Sequence, residues 1–134
     1  MSISQLIQCL KSAKDPLPLF KAYRGLEWKN DIYYSLHASA LPHSQVLWRT
    51  PTTQLVLSGW SPDQTTKLFT NYGVVHTLVL EGSMYSTIYT RNKSLTYKRL
   101  TPHMYYYAPP HVEWTLSSTK IGATLHLYQT SYLY

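Results

Sequence analysis

The spacing of apolar residues changes character once along this chain, near Val46. Before that point Ile3, Leu6, Ile7 and Leu10 recur at helical intervals and share one face. Ser2 and Gln5 frame the start as a capping box, in which the hydroxyl takes a first-turn amide proton and the glutamine side chain reaches back. Pro16 and Pro18 end the helix, because proline has no amide proton and restricts the residue before it. A second short helix is predicted over roughly 19–26 and a third around 31–39.

From Val46 onward the pattern is that of strands. Residues 54–60 are densely apolar and run into the turn residues Ser61-Pro-Asp63. Residues 74–80 form a second strand, stopped at Glu81-Gly82, where glycine permits a positive φ. Residues 84–91 follow at once and read as its hairpin partner. Asn92-Lys-Ser94 then turns into 95–100, followed by strands at 104–108, 112–116 and 121–129. Seven or eight short strands with closely spaced turns predict a sandwich or barrel. The expectation is one domain over 1–134, with a helical segment (1–40) packed outside a β-barrel (46–130). Its 134 residues are enough to bury a core of their own.

Composition narrows the class. With 44% hydrophobic and 13% charged residues, disorder and repeat architectures are excluded. The apolar runs are too short to span a bilayer, and the first residues lack the charged-then-apolar layout of a signal peptide. A soluble, intracellular protein with no membrane partner is expected, with nothing to indicate the compartment. The single cysteine, Cys9, excludes an internal disulfide or a thiolate zinc cluster, and its place in the helical period reads as a small buried hydrophobe. Twelve basic against six acidic residues give a net charge of +6, spread along the chain without any nucleic-acid-binding module. A solvated basic surface is favoured over an acidic partner. The thirteen tyrosines suit half-buried strands and interfaces. With dispersed basic charge they can also stack on single-stranded nucleic acid, but their β-branched and aromatic neighbours favour the strand reading.

Four segments carry a resemblance: Trp60-Ser-Pro-Asp-Gln64 after an apolar strand, Leu78-Val-Leu-Glu-Gly82, Tyr107-Ala-Pro-Pro110, and Thr124-Leu-His-Leu-Tyr128. Their order, behind a helical segment, resembles the cupin superfamily and within it the cysteine dioxygenase family of thiol dioxygenases. The likeness covers most of the chain. It implies a double-stranded β-helix, a jelly-roll barrel, in agreement with the strand count.

The resemblance also implies an iron(II) on three histidines, two of them separated by one residue in the first motif and one in the second. Imidazole suits iron, and neutral ligands leave positions open for thiolate and dioxygen. Counted from Trp60, the first pair falls on Phe69 and Asn71; counted back from Glu81-Gly82, it falls on Leu68 and Thr70. Neither register has a histidine. Read from Pro109-Pro110, the third position is Trp114; spaced back from His126, it is His111. The proline turn is the more rigid landmark and favours Trp114, so at most one ligand of three is kept. The arginine that would clamp a substrate carboxylate falls near Ser44, which cannot supply a bidentate fork, leaving Arg49 as a substitute. Thr124, His126 and Tyr128 alternate and so share a face. They match the family's Ser-His-Tyr relay, with threonine for serine, and can position a proton. Read as residues alone, they are inward polar groups satisfying one another, the favoured reading without a metal.

Among the six histidines, His76, His111 and His126 lie on separate strands and form an alternative metal set. Strand parity opposes it: counted from Glu81-Gly82, Val75, Thr77 and Val79 point inward, so His76 points outward unless the register slips by one. Paired carboxylates, a phosphate loop and a nucleophile elbow are all missing. The prediction is therefore a mainly β cupin barrel descended from a thiol dioxygenase, a pseudoenzyme with no metal or cofactor. Phe69, Asn71 and Trp114 would plug its centre. Its function would be binding: of a protein partner or a second copy (a homo-oligomer) through the basic, tyrosine-rich exterior, or of a small molecule in a residual pocket. Two alternatives stand beside it. One is an Fe2+-dependent thiol dioxygenase with non-standard ligands, backed by His126 and Tyr128. The other is a basic structural subunit of a nucleoprotein or viral assembly.

Overall fold

The computed structural model describes residues 2–23, 43–69, 73–89, 95–110 and 112–130. They fall into two compact units, Met1–Ser35 and Leu36–Tyr134. In the first, α1 spans Ile3–Ser12 and α2 spans Leu17–Ala22. The capping box is formed: Ser2 Oγ accepts from the Gln5 amide at 3.1 Å, and Gln5 Oε1 from the Ser2 amide at 2.8 Å. Ile3, Leu6 and Leu10 are buried, while Ile7 and Cys9 are half-buried. α2 begins two residues earlier than its periodicity predicts, because Pro18 falls in its first turn, where the missing amide proton has no intrahelical role. Residues 24–26 and the predicted third helix lie outside the described residues. Among those described, no helix is long and apolar enough to cross a membrane.

The second unit contains β1 (His43–Arg49), β2 (Thr53–Trp60), β3 (Thr65–Phe69), β4 (Gly73–Glu81), β5 (Met84–Tyr89), β6 (Leu95–Leu100), β7 (Tyr105–Ala108), β8 (Glu113–Ser118) and β9 (Gly122–Thr130). One sheet runs β1-β2-β9-β4-β7 and the other β3-β8-β5-β6. Their pairs are nested, β2 with β9, β3 with β8, β4 with β7 and β5 with β6. The chain from Thr53 to Thr130 is thus one long antiparallel hairpin rolled into two sheets, which is a jelly roll. Alternate residues of the two sheets meet between them: Trp60, Val75, Val79, Tyr106 and Ala108 from the first, Met84, Ile88, Leu100, Trp114 and Leu116 from the second. The inward set on β4 is the one that parity from Glu81-Gly82 predicts. The other face of the first sheet is a buried leucine layer, with Leu55, Leu57, Leu78, Leu80, Leu125 and Leu127.

Two expectations need correction. β4 and β5 are not hairpin partners. β4 pairs with β7 and β9, and β5 with β6 and β8, so the Gly82-Ser83 link crosses from one sheet to the other. Two glycines make that crossing tight. Gly82 takes φ +94°, and Gly122 at the start of β9 lies so close that a Cβ there would collide with the Glu81 carbonyl oxygen. Gly122→Ala is expected to cost about 2 kcal/mol by overpacking. The urea midpoint should fall without a change in slope; an unchanged midpoint would show that the crossing has room to give. The second correction is β3, a strand in the interval between residues 60 and 74, where the sequence pattern predicts none.

Candidate functional site at the barrel centre and mouth

β9 lies between β2 and β4, so its inward residues face partners on both sides. Thr124, His126 and Tyr128 are on that inward face, opposite Ser58, Val56 and Gln54 of β2 and Val79, Thr77 and Val75 of β4. Trp60 Nε1 donates to Thr124 Oγ1 at 2.8 Å, and Thr124 Oγ1 lies 2.7 Å from His126 Nε2. The other imidazole nitrogen, Nδ1, is 2.9 Å from Thr77 Oγ1. Both nitrogens of His126 are therefore engaged by hydroxyls. Burial holds this imidazole neutral, with its pKa pushed down to about 4. Tyr128 meets His126 through ring contact, with centroids 6.2 Å apart. The hydrogen-bonded line thus runs Trp60–Thr124–His126–Thr77. That Trp60 and Thr77 are the end members of this line is something the sequence motifs do not reveal.

Across the barrel, β8 presents Trp114, which is wholly buried. Its indole N–H donates to Ser86 Oγ at 2.6 Å, its plane stacks on Tyr106 at 6.0 Å, and His126 meets it edge-on at 6.2 Å. The β3–β8 register sets Leu68 opposite Trp114 and Phe69 opposite Glu113. Asn71 and His111 lie outside the described residues.

His76 and His126 are not brought together. His76 is in register with Leu127, on the opposite face of the sheet from Thr77 and His126. Its ring is 2.6 Å from the Tyr105 hydroxyl through Nδ1 and 2.9 Å from Gln129 Oε1 through Nε2. The alternative set of His76, His111 and His126 therefore loses His76, for the reason of strand parity. Among the described residues, no three His, Cys, Asp or Glu side chains are grouped to hold a metal ion. At the barrel centre the described donors are a poor match for iron(II): one imidazole already bonded at both nitrogens, beside an indole that cannot ligate.

Arg49 reaches the barrel mouth through a bulge. The β1–β2 register shifts between Val46 and Trp48, which turns Trp48 to face with Leu55 and sets Arg49 opposite Gln54. Gln54 is in turn opposite Tyr128. Arg49, Gln54 and Tyr128 thus form one row across three strands, on the inward face. They line a pocket of about 310 Å³ with Thr130 and the turn from Thr50 to Thr53. Tyr128 is half-buried there, and burial pushes its phenol up to about 12, so it stays a hydrogen-bond donor at neutral pH. Ser44, near the expected carboxylate clamp, instead bonds Ser58 at 2.8 Å between hydroxyls.

A scan of protein-family models finds no match, and neither does a search of curated proteins. Solved structures do match. A cupin superfamily protein from Desulfitobacterium hafniense DCB-2 superposes with a TM-score of 0.60 at 15% identity, over 67% of this chain and 78% of that one. The cupin domain of Schizosaccharomyces pombe Cnp3 gives 0.59 at 11% identity, over 75% and 74% of the two chains. A mutant of Bacillus subtilis oxalate decarboxylase OxdC gives 0.63 at 10% identity, over 70% of this chain but only 26% of the enzyme. At such identities the likeness is one of backbone, and what it establishes is the fold: the two sheets of this chain form a cupin jelly roll.

Proposed function

We propose that this chain is a non-catalytic cupin-fold protein, related to the cysteine dioxygenases, that binds a small carboxylate at the barrel mouth. The observation that carries the reading is Trp114. The position that motif spacing assigns to a metal ligand holds an indole whose only polar group is spent on Ser86. Leu68, the residue in register with it, cannot ligate either. Within this reading the Trp60–Thr124–His126–Thr77 line is a set of buried polar groups satisfying one another, which a barrel centre requires.

The mouth supplies what a carboxylate needs. Arg49 offers a planar fork of donors, and the Gln54 amide, the Tyr128 phenol and threonine hydroxyls stand beside it. The volume is at the small end for ligand sites, which suits a compound of a few carbons.

Two measurements test the two halves of the proposal. After anaerobic incubation with ferrous iron and desalting, the protein is expected to retain far less than one iron per chain and to consume no cysteine under oxygen. Near-stoichiometric iron with oxygen-dependent thiol loss would overturn the non-catalytic reading. Calorimetric titration with carboxylic acids from acetate to citrate should find at least one binder, weakened about ten-fold or more in Arg49→Gln, the loss of one charge-assisted contact. Equal affinity in wild type and variant, or no binder in the series, would remove the mouth from the proposal.

A further inference from the structure

The outward face of the β3-β8-β5-β6 sheet is laid out as a grid. Register sets Thr65, Ser117, Tyr85 and Arg99 in one row, Lys67, Thr115, Thr87 and Tyr97 in the next, and Phe69, Glu113, Tyr89 and Leu95 in the third. The alternate residues Met84, Ser86, Ile88, Trp114 and Leu116 point inward and are buried. Two of the outward tyrosines are open to solvent, Tyr97 at 61% and Tyr89 at 47% exposure. Tyr97 leans on the diagonal neighbour Tyr85, their rings 5.2 Å apart and 21° from parallel. One face of the Tyr97 ring is thus supported by a second ring, and its exposure leaves the other face to a ligand. The low side chains of Thr87, Thr115 and Ser117 let these rings stand above the sheet.

Cations frame the rings. Exposed Arg99 is in register with Tyr85 and two residues past Tyr97. Lys67 is exposed at the opposite edge, 3.4 Å from Glu113. The two exposed rings thus stand on one sheet face with Arg99 near one edge and Lys67 at the other, the single described carboxylate of the face, Glu113, being held by Lys67.

We propose that this face binds single-stranded nucleic acid, with bases stacking on Tyr97 and Tyr89 while Arg99 and Lys67 hold phosphates. Unpaired bases can lie flat on exposed rings, and any base has a π-face to offer. In a duplex those faces are already stacked on one another, so the sheet should discriminate by strandedness and little by sequence. The site is on the other sheet from Arg49 and stands or falls independently of the carboxylate reading.

The test is fluorescence anisotropy of the whole chain with a labelled oligothymidine 20-mer, a mixed-sequence 20-mer and the duplex of the latter. Both single strands are expected to bind at least ten-fold more tightly than the duplex, with affinity falling as salt rises. Tyr97→Ala and Tyr89→Ala should each weaken binding about ten-fold. Arg99→Gln should lower the log–log salt slope by about 0.7, the signature of one phosphate contact. The tyrosines are exposed, so far-UV circular dichroism and the melting temperature should be unchanged in both alanine variants. No binding, equal binding to the duplex, or full affinity in the Tyr89→Ala/Tyr97→Ala double variant would overturn the proposal.

Discussion

Trp114→Ala is expected to lower the unfolding free energy by about 4 kcal/mol, measured by urea denaturation at neutral pH. Three separate losses add up at this site. The indole is wholly buried between the sheets, so truncation leaves a cavity lined by Tyr106 and His126 that the rigid strands cannot collapse around. The ring contacts with both neighbours disappear. The fully buried Ser86 hydroxyl also loses the indole N–H that bonds it at 2.6 Å. That last part can be isolated. Trp114→Phe keeps an aromatic ring but orphans Ser86, and Ser86→Ala keeps the indole but orphans its N–H; each should cost about 1–3 kcal/mol. The double variant, with neither polar partner, should cost clearly less than the sum of the two. A loss below about 1 kcal/mol in Trp114→Ala would mean that the surrounding strands close around the missing indole. The same variants bear on the proposed function, which rests on this indole standing where motif spacing assigns a metal ligand.

What could be read in the sequence follows from where side-chain pattern carries information and where only the backbone does. β2, β4 and β9 are central strands buried on both faces, and their apolar runs announce them. β3 is an edge strand paired on one side only, to β8, and its exposed Thr65 and Lys67 make it look like a loop. Its hydrogen bonds are main-chain bonds, which leave no mark in composition. Alternation places Thr124, His126 and Tyr128 on one face and turns His76 away from them, because period two needs no knowledge of the partner strand. It does not show that β9 lies between β2 and β4, and so it cannot name Trp60 and Thr77 as the partners of Thr124 and His126. Nor does it show the bulge at Leu47, the extra residue that carries Arg49 to the row of Gln54 and Tyr128. The Gly82 turn is legible as a turn, but hairpin and sheet crossing use the same residues there, and only the closeness of Gly122 separates them.

His126 should make this protein sensitive to acid. The imidazole is 2% exposed, and burial holds its folded-state pKa down to about 4, whereas an unfolded chain titrates near 6.5. Above about pH 6.5 the ring is neutral in both states and proton uptake has no effect on folding. As the pH falls from 6.5 toward 4, the unfolded chain takes up a proton that the folded chain refuses, so the equilibrium moves toward unfolding. The slope approaches 1.36 kcal/mol per pH unit, and over some 2.5 units the loss comes to about 3 kcal/mol. Below pH 4 both states are protonated and this contribution flattens. Other groups titrate in the same window, so the informative quantity is the difference between wild type and His126→Gln. A glutamine amide can still meet the Thr77 and Thr124 hydroxyls but carries no titrating proton. At pH 7 the variant is expected to be the less stable of the two, because its flexible amide fits the ring's site poorly. Between pH 6.5 and 4 the gap should close by about 3 kcal/mol, as the wild type loses the contribution of the neutral His126 and the variant has none to lose. A gap that stays constant across that range would mean that His126 is protonated inside the barrel as readily as outside it. The cost that burial puts on the charged ring would then have to be offset inside the barrel, where the Thr77 and Thr124 hydroxyl oxygens can accept from an imidazolium.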